Sequence, residues 1–367
     1  MARIDAVSKK TAGKIEKLAE SVMKSVKGGK NPFVEIPIRS LANVKFNPKR
    51  RLIELGSQRQ KRYFFNVSMA KKFMQTFLVS DACKELIESG KTTSIRDLYY
   101  ITKHTIGETK QNTFEEQDES DPIIEDLEVA LDALREELHL FASRKGTMVG
   151  PITIRDSGDT IDLRRMGSGG WGVPSIVEEN VIQFGKHEAK YILLVEKDAV
   201  WTRFNEDKFW KRESAIIVHG GGQPPRGVRR LVRRLNAELE LPVYVLVDND
   251  PWGFYIYSVV KQGSINLAFE SMRMAVPDAR FIGLSSFDKV AYKLPSNVSI
   301  KMDDGDVARA KQMLAYPWFQ AKQWQQEIEE MVKSGVKYEL EALSRRGISF
   351  ITEEYLPKKL KDRDWLE

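Results

Sequence analysis

Two short apolar runs in this chain each end on carboxylates. They are Tyr191-Ile-Leu-Leu-Val-Glu196 and Val243-Tyr-Val-Leu-Val-Asp248-Asn-Asp250. Each run is brief, bounded and rich in Val, Ile and Leu, the pattern of a strand buried on both faces. In parallel sheets, ligands collect at the carboxyl ends of the strands. Glu196, Asp248 and Asp250 on one rim suit Mg²⁺, a hard ion that prefers oxygen and binds through a few carboxylates together with substrate phosphate. The bland alternative is open for Asp250, which precedes Pro251 and could simply cap the next helix. Asp198 and Asp207 read as caps or surface charges.

A second set lies in Ser94-Ile-Arg-Asp-Leu-Tyr-Tyr100. Ser94 followed by Asp97 is a helix-start signal. On a helix Arg96, Tyr100 and His104 recur four apart and share a face. A tyrosine nucleophile must lose a proton whose reference pKa is ~10, and a neighbouring cation or base assists that. Arg96 could serve as the cation or hold a phosphate, and His104 could accept the proton. Tyr99 points about a hundred degrees away and suits packing. The alternative is that both tyrosines are core residues of an amphipathic helix.

The third set is His219-Gly-Gly-Gly-Gln-Pro-Pro-Arg-Gly227 running into Val228-Arg-Arg-Leu-Val-Arg-Arg-Leu235. A glycine turn at a helix N-terminus suits anions. Neither a dinucleotide fingerprint nor a P-loop is present, and the first absence argues against a dehydrogenase. Arg226, Arg229, Arg230, Arg233 and Arg234 form one broad face, opposite Val228, Leu231, Val232 and Leu235. That face reads either as a ridge for a phosphate backbone or as a salt-bridged surface helix.

The elements that must carry these groups follow from pattern. Ile15, Leu18, Val22 and Val26 space a basic amphipathic helix within residues 1–30, and residues 33–68 read as a strand-rich strap. Residues 69–145 are helical: Met69–Leu78 and Ala82–Ser89 with an interruption near Ser80, then the helix from Ser94. Ile124, Leu127, Leu131, Leu134, Leu138 and Phe141 predict one long amphipathic helix. Residues 147–154 and 160–163 predict a hairpin, so that helices plus ribbon make a winged-helix module. Met166–Gly172 reads as a glycine linker. Beyond it, strands and helices alternate as in a parallel α/β sheet, followed by helical stretches after residue 306. The fold class is multidomain, α/β plus α+β: an N-terminal arm and strap over 1–68, a winged-helix domain over 69–165, and a metal-binding α/β domain over 166–367.

Bulk properties agree. The 367 residues carry a net charge of +6, and Lys45, Lys49, Arg50, Arg51, Arg59, Lys61 and Arg62 crowd one segment. Such local basic density suggests a polyanion partner. The single cysteine, Cys83, excludes an intrachain disulfide and fits a reducing cytoplasm. No apolar stretch is long enough to span a membrane, and the N-terminus has no signal-peptide core.

In this order the motifs resemble the A subunit of archaeal topoisomerase VI, the type IIB DNA topoisomerase family that also contains the protein initiating meiotic recombination. The landmarks are Ser94–Tyr100, Lys145-Gly146 with Gly150, Val195-Glu-Lys-Asp198, Gly220-Gly-Gly-Gln-Pro224 and Val247-Asp-Asn-Asp-Pro-Trp-Gly253. The resemblance covers essentially the whole chain. It implies a winged-helix (CAP-like) domain with the nucleophile and a Toprim domain with the metal. Tyr100, the second of the pair, would attack DNA with help from Arg96. Glu196, Asp248 and Asp250 would hold Mg²⁺. Two A subunits would pair so that each scissile phosphate meets Tyr100 of one and the metal of the other, and an ATPase B subunit would complete an A₂B₂ assembly. Rival readings are a programmed break-maker or other Toprim nuclease, and a non-enzymatic DNA-binding scaffold.

Overall fold

The computed structural model describes residues 6–367, so the first residues of the predicted basic arm lie outside the described part. The chain forms two compact units. One comprises residues up to Asn43 with Leu55–Ser143, and the other Val44–Glu54 with Arg144–Glu367. Among the described residues no helix is long and apolar enough to cross a membrane.

The first unit is mainly helical. Helix Ala6–Lys27 buries Ser8, Thr11 and Ile15. Strands Phe33–Pro37 and Arg59–Tyr63 pair antiparallel. Helix Val67–Ser89 starts on the Asn66 side chain and ends at Gly90, whose positive φ of 65° suits glycine. It is continuous through Ser80, where the sequence suggests a break. The buried Ser80 hydroxyl donates to the Thr76 carbonyl at 2.7 Å, so it is satisfied without leaving the helix.

The long helix predicted through Phe141 is corrected. Helix Ser120–Leu131 stops at Asp132, which takes a left-handed φ of 44°. A 3₁₀ turn comes next at Glu136–Leu138, and Leu140–Phe141 pairs parallel with Thr93–Ser94. Leu131, Leu138 and Leu140 all reach the same core. The burial of Leu138 and Leu140 has a period of two, and an apolar series at steps of three and four conceals that change. The same core holds Cys83, fully buried, whose thiol is pushed well above its ordinary value by burial.

The second unit is built on a six-stranded sheet in the order Trp171–Gly172, Thr147–Val149, Ala215–His219, Tyr191–Val195, Val243–Leu246, Arg280–Gly283. The last four are parallel and the first two are antiparallel additions. Every residue of Tyr191–Val195 and Ala215–His219 is buried. That burial explains why these strands are continuous apolar runs.

Two sequence expectations change here. The glycine-rich stretch 166–172 is no linker, because Trp171 is buried and its strand closes one edge of the sheet. A Cβ at Gly170 would meet the Thr147 and Trp201 side chains at 2.4 and 2.7 Å, so this glycine permits close packing. The predicted hairpin does form, with Asp156 opposite Asp159, but its first segment divides. Thr147–Val149 enters the large sheet, and only Ile152–Asp156 pairs with Asp159–Asp162. With Ile182–His187 these make a separate three-stranded sheet inside the second unit. The ribbon therefore does not belong with the helices of 69–143.

Candidate active site

Tyr100 and Arg96 lie on the short helix Ile95–Thr102 of the first unit. The Ser94 hydroxyl accepts from the Asp97 amide at 3.0 Å and donates to the Asp97 carboxylate at 2.8 Å, which fixes where the helix starts. The two tyrosines then part company. Tyr99 is buried, its hydroxyl donates to the Glu115 carbonyl at 2.8 Å, and Lys103 Nζ donates to it at 2.7 Å. Tyr100 is 60% exposed, and its ring leans edge-on against Tyr99 at 5.0 Å. Arg96 is exposed too, four residues from Tyr100. His104 leaves this set: the helix ends at Thr102, and the exposed His104 lies beyond it, its backbone tied to Thr113. The four-residue step to His104 assumes one more turn of helix, and the chain turns off at Lys103.

In the second unit Glu196 and Asp248 lie just past the ends of neighbouring parallel strands, because Tyr191–Val195 sits directly beside Val243–Leu246. The Glu196 carboxylate accepts from the Asp248 amide at 3.0 Å. Asp248 accepts from the Leu340 amide at 2.9 Å, and its other oxygen is 3.0 Å from Lys197 Nζ. Lys197 also meets Glu339 at 3.3 Å and Glu341 at 3.0 Å. Asp250 caps helix Pro251–Gln262 by accepting from the Gly253 amide at 2.6 Å. The cap reading of Asp250 therefore holds, and capping does not by itself exclude a metal role. Asp306 stands near enough to raise Asp250 and is held by Lys337 at 2.6 Å.

Packing under this rim is close. A Cβ on Gly253 would come within 2.3 Å of the Asp248 carbonyl oxygen. Gly253→Ala is therefore expected to cost about 1–3 kcal/mol and to shift Asp248, read as a lowered melting temperature.

Burial pushes the Glu196 carboxyl up to about 7, and the charge of Asp248 adds to it. Burial likewise pushes Asp248 up to about 6, against the opposing pull of the Leu340 amide and Lys197. Asp250 is raised for the same first reason, partly offset by its bond from Gly253. A carboxyl whose folded pKa exceeds its unfolded one costs stability once ionised. The metal-free protein should then lose stability relative to Glu196→Gln as pH rises from 5 to 8, by roughly 2 kcal/mol. Urea unfolding of both proteins across that range checks this.

These donors fit a hard divalent ion in chemistry. Three half-buried or buried carboxylates hold one another's ionisation down, and a cation relieves that. As the side chains stand, no group of three or more His, Cys, Asp or Glu among the described residues is spaced to hold an ion jointly. Lys197, Glu339, Glu341, Asp306 and Lys337 are not found by the sequence reading. The signals for them are slight: Lys197 adjoins Glu196, and Glu339 and Glu341 flank the buried Leu340 at a period of two.

The arginine helix, Arg226–Leu239, follows the salt-bridged reading and not the ridge. Arg226 pairs with Glu270, Arg230 with Glu178 at 2.9 Å, and Arg234 with Glu238 at 2.6 Å. Arg229 and Arg234 are buried, and Arg234 also donates to the carbonyls of Val177 and Ile182. Arg233 is half-buried and donates weakly to Asn236 at 3.4 Å. This face is tied to the protein itself rather than turned outward. Arg234→Ala should therefore destabilise by about 3–5 kcal/mol, because it leaves carbonyls and a carboxylate unpaired. Arg230→Ala should leave DNA affinity within about twofold, since a guanidinium already spent on Glu178 neutralises no phosphate.

The chain matches three family models. Residues 71–140 match the Type IIB DNA topoisomerase model, and 191–360 match the Toprim domain shared by the topoisomerase 6 A subunit and Spo11. Residues 145–188 match the all-beta domain in the alpha subunit of DNA topoisomerase VI. The A subunit of type 2 DNA topoisomerase 6 from Pyrococcus horikoshii is 45% identical over 363 residues, covering 96% of this chain and 94% of its own length. That of Hyperthermus butylicus is 43% identical, with 99% and 97% covered. The chain belongs to the A-subunit family of topoisomerase 6. The A3 subunit of DNA topoisomerase 6 from Oryza sativa subsp. indica, at 34% identity over 99% of this chain and 80% of its own, extends the family to a plant. Within that family frame, the parallel sheet bearing Glu196 and Asp248 is the Toprim domain. The ribbon separated from the helical unit falls in the family's all-beta domain.

Proposed function

We propose that this A-subunit chain is the DNA-cleaving part of an ATP-dependent type IIB topoisomerase, with Tyr100 as its nucleophile. The helical unit, read as the winged-helix (CAP-like) domain without the ribbon expected at 147–163, presents Tyr100 to duplex DNA. The Tyr100 oxygen attacks a backbone phosphorus in line, the bond to the 3′ oxygen breaks, and a 5′-phosphotyrosyl ester forms. The phenol gives up its proton and the departing 3′ oxygen gains one. One ester replaces another, so the step is close to isoenergetic and reverses for religation. Arg96, one helical turn from Tyr100, holds the phosphate and favours the phenolate. Glu196, Asp248 and Asp250 would hold Mg²⁺, which when bound supplies positive charge for the phosphate and the departing oxygen.

Two copies of the chain cut both strands, each phosphate meeting Tyr100 of one copy and the acid rim of the other. An ATPase B subunit completes an A₂B₂ complex, and the absence of a P-loop in this chain is in keeping with ATP bound by that partner. The lone, buried Cys83 is in keeping with a reducing cytoplasm. The observation that carries the reading is the contrast between the paired tyrosines: one is buried with its hydroxyl engaged, and the other is exposed. Co-purification with the ATPase partner, followed by supercoil relaxation with and without ATP, tests it. Relaxation that is indifferent to ATP, or free DNA ends without attached protein, contradicts it.

A further inference from the structure

The acid rim carries its own cation. Lys197 Nζ lies 3.0 Å from Asp248 Oδ2, 3.0 Å from Glu341 and 3.3 Å from Glu339. Asp248 has few other choices: it is buried, and its Oδ1 is already engaged by the Leu340 amide. Oδ2 is thus the oxygen left for any other ligand, and an ammonium group sits on it. An ammonium and a divalent ion cannot share that oxygen closely, since their charges repel across a few ångströms. Glu339 and Glu341 are exposed and already within reach of the same Nζ, so the ammonium has somewhere to go. Lys337 does the corresponding neutralising work for Asp306 at 2.6 Å without touching Asp248.

We propose that Lys197 is a tethered counter-ion that occupies Asp248 in the metal-free protein and yields it, moving onto Glu339 and Glu341, when a divalent ion binds. Lys197 is a positioning residue. It holds a buried carboxylate in place before the metal arrives, and it sets the metal affinity by competition. This inference rests on the metal role proposed for Asp248.

Calorimetric titration of the full chain with Mg²⁺, with no DNA present, tests it. Lys197→Met should bind Mg²⁺ about tenfold more tightly than wild type, a coupling of ordinary size between two competing occupants. Its metal-free form should melt several degrees lower and recover with Mg²⁺. Lys197→Arg, which keeps the charge, should bind no more tightly than wild type. Lys337→Met removes a positive charge that acts on Asp250 and Asp306 but not the one seated on Asp248, and should raise affinity by clearly less than Lys197→Met does. Equal gains from Lys197→Met and Lys337→Met would overturn the inference, because only the general field would then matter. So would unchanged or weaker binding by Lys197→Met while Asp248→Asn abolishes binding, an outcome that leaves the metal role standing. Binding indifferent to Asp248→Asn would overturn both.

Discussion

Tyr100→Phe should abolish the covalent protein–DNA adduct, lowering it by at least about 10³-fold, with DNA binding held within about twofold. The change removes one oxygen from a side chain that is 60% exposed and buries no polar group, so the fold has little reason to respond. Binding should persist because phosphate contacts, and not one phenol, supply most affinity for DNA. Tyr99→Phe should behave in the opposite way. It deletes a buried hydroxyl bonded to the Glu115 carbonyl and to Lys103, so it should cost about 1–2 kcal/mol of stability and leave adduct formation intact. Denaturing gels of end-labelled duplex, run beside a binding assay, read both. An adduct retained by Tyr100→Phe and lost in Tyr99→Phe would reverse the assignment.

Asp248→Asn should lower Mg²⁺-dependent cleavage by about 10²–10³-fold, the size of effect seen when one preorganised charge is removed from a reacting centre. The amide keeps the size of the side chain and can still accept from the Leu340 amide, so the strand end should stay in place. What it loses is the charge facing Lys197 and the capacity to hold a hard ion. Cleavage assayed against Mg²⁺ concentration distinguishes the two losses: a raised requirement for the ion marks weakened binding, and a lowered plateau marks a misplaced one. Undiminished cleavage at every concentration would remove Asp248 from the site.

Much of the acid rim was legible because the Toprim strands obey one simple rule. Residues 191–195 and 243–246 are apolar throughout, and a strand buried on both faces leaves no other pattern. The carboxylate that ends such a run has to lie at the sheet's rim. The tyrosine pair was legible for a similar reason, since Ser94 and Asp97 mark the helix start and set the phase of the turns after it. The failures share a cause as well. Periodicity registers which residues are apolar, but not where the backbone changes type. Leu134 and Leu138 therefore extend the predicted helix past its end at Asp132, and His104 falls on a turn that the chain never makes.

The arginine helix leaves two readings open for another reason. Its partners, Glu178, Glu238 and Glu270, include two that lie far away in sequence, and composition cannot reveal that a cation is already paired. Glycine misled in the same way at 166–172. It reads as freedom along the chain, whereas at Gly170 it makes room for Thr147 and Trp201. Lys197 stayed hidden beside Glu196 because its role is defined by Asp248, far along the chain, and by Glu339 and Glu341 further still.

Mass spectrometry of the trapped adduct is the most direct test of the nucleophile. The chain, assembled with the proposed ATPase partner, is stopped by denaturant during Mg²⁺-dependent cleavage, digested with nuclease and protease, and the peptide spanning residues 97–103 is sequenced. A nucleotide remnant attached through its 5′ phosphate to the oxygen of Tyr100 is the predicted result. The same remnant on Tyr99, on any other side chain, or on none while both DNA strands are cut would contradict the account.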